Sequence, residues 1–250
     1  MSDTTRKHEI AIEIAASPDD VWDAVATAEG VASWFAPVAK VEPGQGGSVT
    51  FSWGGGMEGT GRIDVWEPGK HLQVVNDRAP GEPPSVVDYF IEGTGGTTTM
   101  RLVHSGFGAS ASFDGEFEST GRAWPVFLQM MKHSVERGIG ACRNVTLFSM
   151  LSGTRAEAWA AMRGPGGIDA LCRDGVVRHF DATGLCCVEF PKPKDAMLAV
   201  FCESCGGSAM LTLTWLLYGA TEEQANAVRG QWSATIDALL GSPNTAEPAG

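Results

Sequence analysis

The sequence has few basic residues, and this shortage limits the partners it can bind. Its 250 residues include 18 lysines and arginines against 30 aspartates and glutamates, giving a formal net charge of −12. Nucleic acids and anionic membrane surfaces are bound through clustered positive charge. We therefore expect neither a nucleic acid nor a membrane among the partners.

Long apolar runs are missing as well. No stretch approaches the roughly 20 apolar residues of a membrane-spanning helix, and residues 1–9 are too polar for a signal peptide. The six cysteines, including the adjacent Cys186 and Cys187, lie mostly in apolar surroundings. We interpret them as reduced thiols of a cytoplasmic protein, because disulfides persist mainly in oxidising compartments.

The sequence also lacks the common catalytic and metal-binding motifs, such as His-Glu-x-x-His and Gly-x-Ser-x-Gly. Cys202 and Cys205 form a Cys-x-x-Cys pair, but a tetrahedral zinc site needs a second pair of ligands. Residues three apart on a strand also face opposite sides of a sheet. We therefore predict no cofactor and no metal site, and we assign no catalytic residue.

The first half of the chain reads as one strand, two helices, a meander of strands and a long helix. Residues 9–14 alternate between apolar and polar types, and Ser17 with Pro18 marks a helix start. Glycine and proline turns separate five predicted strands, at about 48–53, 58–66, 70–76, 85–92 and 97–104. An apolar stripe predicts a helix over about 114–136, with a kink at Pro125.

This order is that of the helix-grip fold, in which a long helix crosses a curved sheet and encloses a cavity. The segments SPDDVWDAVATAEGVASWFAP, LVHSGF and GRAWPVFLQMM resemble the SRPBCC (START-like) superfamily. They are most similar to its branch around the activator of the ninety-kilodalton heat-shock chaperone's ATPase, over residues 8–137. The resemblance implies a fold more than an activity, because the fold hosts carriers, cyclases and co-chaperones.

The second half reads as a shortened copy of the first. Thr154 and Glu157 form a capping box, and Trp159 follows Thr154 at the spacing that separates Trp22 from Ser17. The helix caps are offset by 154 − 17 = 137 residues, but the glycine pairs at 206 and 95 by only 111. The second copy is therefore 26 residues shorter between these points, about one hairpin with its turns.

These observations predict an α+β protein of two tandem helix-grip domains, each a curved antiparallel sheet wrapped on a long C-terminal helix. We expect a helix-grip domain with a candidate cavity over 1–140, a shortened copy over 141–241 and a disordered tail over 242–250.

Strand alternation and the helix stripe predict which side chains line the cavity of the first domain. Trp124 precedes Pro125, where helix and sheet should separate most. His104 and Tyr89 would be its titratable groups. The predicted ligand-binding residues are Phe51, Trp53, Tyr89, Met100, His104, Phe117, Trp124, Leu128 and Met131.

The pattern favours non-catalytic binding of an apolar or aromatic small molecule in this cavity. One alternative, which the resemblance implies, is a co-chaperone-like module that binds a chaperone or another protein. A second is a cyclase- or hydrolase-type enzyme that uses His104 or Tyr89 as acid or base. A void of about 300 Å³ or more would favour a ligand, and a filled interior would favour the interaction module.

Overall fold

The computed structural model describes residues 5–163, 167–191 and 195–240. The chain divides into two compact units, Met1–Gly140 and Ala141–Gly250. Each unit has its own antiparallel sheet, and in the described ranges no strand pairs across the two sheets. The predicted α+β fold class with two helix-grip domains is thereby confirmed. The predicted tail, 242–250, lies outside the described residues.

The N-terminal unit has seven strands in the order β1-β7-β6-β5-β4-β3-β2. Its strands are β1 Arg6–Ile14, β2 Val38–Glu42, β3 Ser48–Gly54, β4 Met57–Glu67, β5 His71–Asn76, β6 Ser85–Thr94 and β7 Thr97–Phe107. Its helices are α1 Pro18–Ala26, α2 Ala28–Trp34 and α3 Asp114–Arg137. Strand β2 was not predicted from the sequence; the other strands begin and end near their expected positions.

Local sequence explains where the first two helices begin and end. Ser17 caps α1 in a capping box, since its side chain accepts from the Asp20 amide and Asp20 accepts from the Ser17 amide. Thr27 ends α1 and caps α2, accepting from the Gly30 amide at 2.9 Å. The two helices therefore meet at Thr27.

Helix α3 is the long helix that the apolar stripe predicts. It runs as one element through Pro125, and its stripe residues Trp124, Leu128 and Met131 are buried. Val126 and Met130 are buried too, so the stripe is not the only apolar part of the helix that is shielded from water.

A bulge in β4 changes which of its side chains face the interior. Ile63 pairs with Val74, but the register then shifts, so that Val65 pairs with Gln73 and Trp66 with Leu72. An extra residue in a strand reverses the alternation beyond it. Uninterrupted alternation from Ile63 would turn Val65 inward, but beyond the bulge Val65 faces away from the interior. Trp66 takes the inward place and packs edge-on against Trp22 with ring centroids 5.0 Å apart.

The C-terminal unit repeats the same order with a smaller sheet. Five strands lie in the order β8-β12-β11-β10-β9, and the first strand again pairs with the last. The strands are β8 Cys142–Leu151, β9 Val176–Asp181, β10 Leu185–Phe190, β11 Ala196–Cys205 and β12 Ser208–Tyr218. The helices are α4 Arg155–Met162, α5 Ile168–Asp174 and α6 Glu222–Leu240.

In the described residues the C-terminal sheet has five strands, two fewer than the seven of the N-terminal sheet. Counting back from the last strand of each sheet, β9 corresponds to β4, and the described part of the C-terminal unit has no counterpart of β2 and β3. This deficit has the size of the hairpin that the 26-residue difference in spacing predicts. As a result β9 is a sheet edge, and Val176, Val177 and Phe180 on it are 45%, 43% and 40% exposed.

The segment LVHSGF ends in a backbone contact that only glycine permits. Gly106 has φ +91°, and a Cβ there would lie 1.8 Å from the carbonyl oxygen of Pro84. This contact brings the end of β7 against the start of β6, where Ser85 lies next to His104.

We expect Gly106→Ala to lower the free energy of unfolding by about 1–3 kcal/mol, because alanine meets both a positive φ and a backbone clash. Gly96→Ala is the matched control, since no atom lies within 4 Å of its added Cβ. Urea unfolding measures both variants. Equal midpoints for the two would contradict this explanation of the motif.

Candidate functional site

The N-terminal unit contains a cavity of about 250 Å³ between its sheet, α1, α2 and α3. The sheet and all three helices contribute lining side chains. Among the described lining residues there is no aspartate, glutamate, lysine or arginine. The lining residues are Val25, Val31, Trp34, Phe35, Val49, Phe51, Trp53, Val74, Asn76, Ser85, Val87, Tyr89, His104, Thr120, Ala123, Trp124 and Phe127.

Aromatic rings form one continuous wall of the cavity. Phe35, at the end of α2, contacts Phe51, Trp53 and Phe127 with centroid distances of 5.0, 4.8 and 5.0 Å. It also lies parallel to Trp124, with ring centroids 6.2 Å apart. Such clustered rings offer a large apolar surface with defined geometry to an aromatic ligand.

Five of the nine residues predicted to bind a ligand line this cavity: Phe51, Trp53, Tyr89, His104 and Trp124. The other four, Met100, Phe117, Leu128 and Met131, are not among its lining residues.

The four that miss the cavity have other packing roles. Met100 and Met131 are 0% exposed and Leu128 is 1% exposed, so all three are core residues. Phe117 lies in the second turn of α3, where it stacks on His8 at 4.0 Å. Helix α3 borders the void only over residues 120–127. The stripe identifies the buried face of the helix but not which of its turns faces empty space.

Several lining residues were missed, and Ser85 is the most consequential. The predicted strand 85–92 included it, and continuing the alternation of Val87 and Tyr89 back by two residues places Ser85 on the same face. Phe127 and Thr120, one helical turn on either side of Trp124, could have been found from helical periodicity in the same way.

His104 is fixed by hydrogen bonds at both ring nitrogens. The Trp124 indole N–H donates to His104 Nδ1 at 2.9 Å. On the other side, His104 Nε2 lies 2.8 Å from Ser85 Oγ. An indole N–H can only donate, so Nδ1 must be the unprotonated nitrogen of the neutral ring. Nε2 therefore carries the proton and donates to Ser85.

This direction is the reverse of the one that activates a nucleophilic serine. In a Ser-His-Asp triad, the imidazole donates from Nδ1 to a carboxylate and accepts the serine proton at Nε2. Here an N–H donor occupies the place of the carboxylate, and the nitrogen facing Ser85 is already protonated. The Ser85–His104 pair is therefore arranged to orient the serine hydroxyl rather than to deprotonate it.

The surroundings keep both titratable lining groups neutral. Burial, and to a smaller extent the nearby charges of His8 and Arg78, lower the pKa of His104 to about 4. Burial raises the pKa of the Tyr89 hydroxyl well above its usual value. Within the described residues no group forms a hydrogen bond with that hydroxyl, and Tyr89 lines the cavity as a neutral phenol.

In the C-terminal unit, tryptophans occupy the corresponding positions. Trp215 stands in place of His104 and Trp232 in place of Trp124, with ring centroids 5.9 Å apart. Trp215 also stacks on Phe190 at 5.4 Å. The polar pair of the first unit is thus replaced by packed rings, which join an apolar core.

The cysteines do not form a cluster of ligands. None of the six forms a disulfide bond, Cys202 lies in the core and Cys205 is exposed. Burial raises the pKa of the Cys142 thiol to about 11 and that of Cys187 to about 12. Across the described part of the chain, no three histidine, cysteine or acidic side chains are grouped in a way that could hold a metal ion. No described helix combines the length and apolar character needed to cross a membrane.

Comparisons with known proteins agree with the fold of the N-terminal unit. Residues 15–136, just under half of the chain, match the family model described as "Activator of Hsp90 ATPase homolog 1-like protein". No curated protein matches the chain.

Some solved structures are similar to about half of the chain, and others to nearly all of it. The Aha1 dimer of Colwellia psychrerythraea is 21% identical, covers 52% of this chain and 96% of its own, and has a TM-score of 0.45. DynU16, a putative protein of the dynemicin biosynthetic locus, is 19% identical over 94% of this chain and 97% of its own, at 0.44. The di-domain ARO/CYC BexL, from the BE-7585A biosynthetic pathway, is 15% identical over 98% and 100%, at 0.44.

Because these likenesses to solved structures are distant, they assign neither a ligand nor an activity to this chain. The family match falls on the same elements as the resemblance found in the sequence, from the end of β1 through α3. The N-terminal unit therefore has an SRPBCC-type, Aha1-like helix-grip fold.

Proposed function

We propose that the N-terminal unit binds an apolar or aromatic small molecule in its cavity without transforming it. The observation that carries this proposal is the lining itself: an aromatic wall, aliphatic side chains and a few neutral polar groups around about 250 Å³. Small-molecule sites typically combine such apolar surroundings with a few placed polar groups. The volume lies just below the roughly 300 Å³ at which such sites usually begin, so the ligand is a compact ring system.

The enzymatic alternative, a cyclase- or hydrolase-type activity in the same cavity, finds less support in the site. DynU16 comes from a biosynthetic locus and BexL is an ARO/CYC protein, so an enzyme of that kind is a natural rival. The only basic nitrogen of the neutral His104 ring, however, is Nδ1, and it already accepts the hydrogen bond from the Trp124 N–H. It is therefore not available as a base. Tyr89 remains as an acid in such a reaction, since its phenol is protonated.

A protein-interaction role is the second candidate, and the family match favours it. The matched family is described by activation of the Hsp90 ATPase, and a net charge of −12 suits docking on a basic surface. A co-chaperone of this kind has no need for a cavity that admits a ligand. Binding of a small probe in the cavity therefore separates the two functions.

We expect the apolar dye N-phenyl-1-naphthylamine to bind the full chain and gain fluorescence. Ala123 lines the cavity, so Ala123→Phe places a ring inside it and should weaken binding more than about tenfold, roughly 1.4 kcal/mol. The matched control is Ala227→Phe, on an exposed position of α6. Fluorescence titration measures affinity, and thermal unfolding checks that both variants fold. No binding to the wild type, or equal weakening by both variants, would favour the interaction module.

A serine-directed fluorophosphonate tests the direction of the Ser85–His104 pair. Because Nε2 donates to Ser85 Oγ and cannot take its proton, we expect no labelling of Ser85 above that of the Ser85→Ala variant. Intact-mass spectrometry measures the adduct. Stoichiometric labelling that disappears in Ser85→Ala would show an activated nucleophile and place the hydrolase alternative first.

The pH dependence of stability gives a further test of His104. Its pKa is about 4 in the folded chain, against an ordinary value of 6.5. Between these values the unfolded chain holds a proton that the folded chain does not, so stability falls as pH drops from about 6.5 to 4. The slope from this group is about 1.4 kcal/mol per pH unit. Urea unfolding of wild type and His104→Gln should differ by this slope; parallel profiles would contradict a buried, neutral His104.

A further inference from the structure

The polar groups around the cavity differ in how much hydrogen-bonding capacity they have left. The Thr120 hydroxyl donates to a carbonyl of the preceding helical turn at 2.7 Å. The Trp53 indole donates to the carbonyl of Phe35, also at 2.7 Å. Both ring nitrogens of His104 are used. In the described lining, the groups left for a ligand are the Ser85 hydroxyl, the Tyr89 hydroxyl and the Asn76 amide.

Of these three, Ser85 has its hydrogen-bonding direction set by the residues behind it. The Trp124 N–H binds His104 Nδ1 and thereby keeps the proton of the ring on Nε2. The Nε2–H of His104 then donates to Ser85 Oγ at 2.8 Å. A hydroxyl that accepts from the ring must turn its own proton elsewhere, and Ser85 lines the cavity. Ser85 therefore has its own proton to donate to a ligand, together with the one lone pair that the ring does not use.

The electrostatics of the lining exclude ionic ligands. No described lining residue is a carboxylate, lysine or arginine, and His104 is neutral. An ion that loses its water in such a place without a partner of opposite charge is strongly disfavoured. An anionic acceptor such as a carboxylate, or a cationic amine, therefore fits poorly, whereas a neutral acceptor oxygen fits well.

We propose that Ser85 is the specificity-determining donor of this cavity and that the ligand is a neutral aromatic carbonyl compound whose oxygen accepts from it. Trp124 and His104 act as positioning residues, because they reach the carbonyl oxygen through Ser85. This inference rests on the proposed function and narrows it from any apolar compound to one chemical class.

Two probes of the same shape test the proposal: 2-acetonaphthone, and 2-isopropenylnaphthalene, in which a CH₂ group replaces the carbonyl oxygen. Their affinities for the full chain are measured by displacement of N-phenyl-1-naphthylamine. We expect Ser85→Ala to lower the ketone-to-hydrocarbon affinity ratio about 3- to 10-fold, the effect of one hydrogen bond. Affinity for the hydrocarbon should not change. Ser85→Thr keeps the hydroxyl and should keep the ratio, as should the control Ser119→Ala on α3, outside the lining.

Trp124→Phe tests the positioning role, because it keeps a ring and removes the N–H. His104 is then free to carry its proton on Nδ1 and to accept from Ser85, which turns the serine proton away from the ligand. We expect the affinity ratio to fall toward that of Ser85→Ala. The ¹⁵N NMR shifts of His104 should also change from a single Nε2–H tautomer in the wild type to a mixture in the variant.

The outcomes separate this inference from the proposed function. If neither probe binds the wild type, the proposed function fails. If both bind and Ser85→Ala leaves their ratio unchanged, the cavity binds ligands but Ser85 does not select them, and the inference is overturned. An unchanged ratio and tautomer in Trp124→Phe, with a lowered ratio in Ser85→Ala, would overturn the positioning roles alone.

Discussion

One hydrogen bond, from the Trp124 indole to His104 Nδ1, gives the cavity its chemical character. It joins the long helix to the last strand of the sheet at the cavity wall, where the two layers enclose a void instead of packing together. Because an indole N–H can only donate, the bond also determines the tautomer of the histidine and, through it, the role of Ser85. A carboxylate in the place of that indole would accept a proton from Nδ1 instead. Nε2 would then be unprotonated, and Ser85 would lie beside a proton acceptor.

The comparison of the two units shows what the cavity depends on. In the N-terminal unit, β3 supplies Val49, Phe51 and Trp53 to the lining. Among its described residues, the C-terminal unit has no counterpart of β2 and β3, and it has Trp215 and Trp232 in place of His104 and Trp124. The two changes act together: one removes a wall, and the other replaces the polar pair with bulky rings that pack on one another.

Much of this arrangement could be predicted from the sequence, because side chains along a regular strand point alternately to the two faces of the sheet. Phe51, Trp53, Tyr89 and His104, which that argument turns inward, line the void. The argument failed at β4, where the bulge beyond Ile63 exchanges the places of Val65 and Trp66, since nothing in the local pattern marks an inserted residue. On α3, periodicity identified the buried face, but the position of the void along the helix depends on how distant strands curve.

The direction of the hydrogen bond between His104 and Ser85 is the feature that is hardest to predict from the sequence. A histidine and a serine that meet across neighbouring strands are compatible with a nucleophile and its base or with a donor chain that orients a hydroxyl. The choice depends on a third group that approaches the far nitrogen of the ring, and here that group is 20 residues away in the chain, on another element. Trp124 stands out in the sequence as a large apolar residue of a helix stripe, and packing alone accounts for its presence there. Its N–H acquires chemical meaning only when the helix crosses the sheet at His104. The same residue that helps to build the aromatic wall therefore also makes the Ser85–His104 pair one in which the ring donates to the serine hydroxyl.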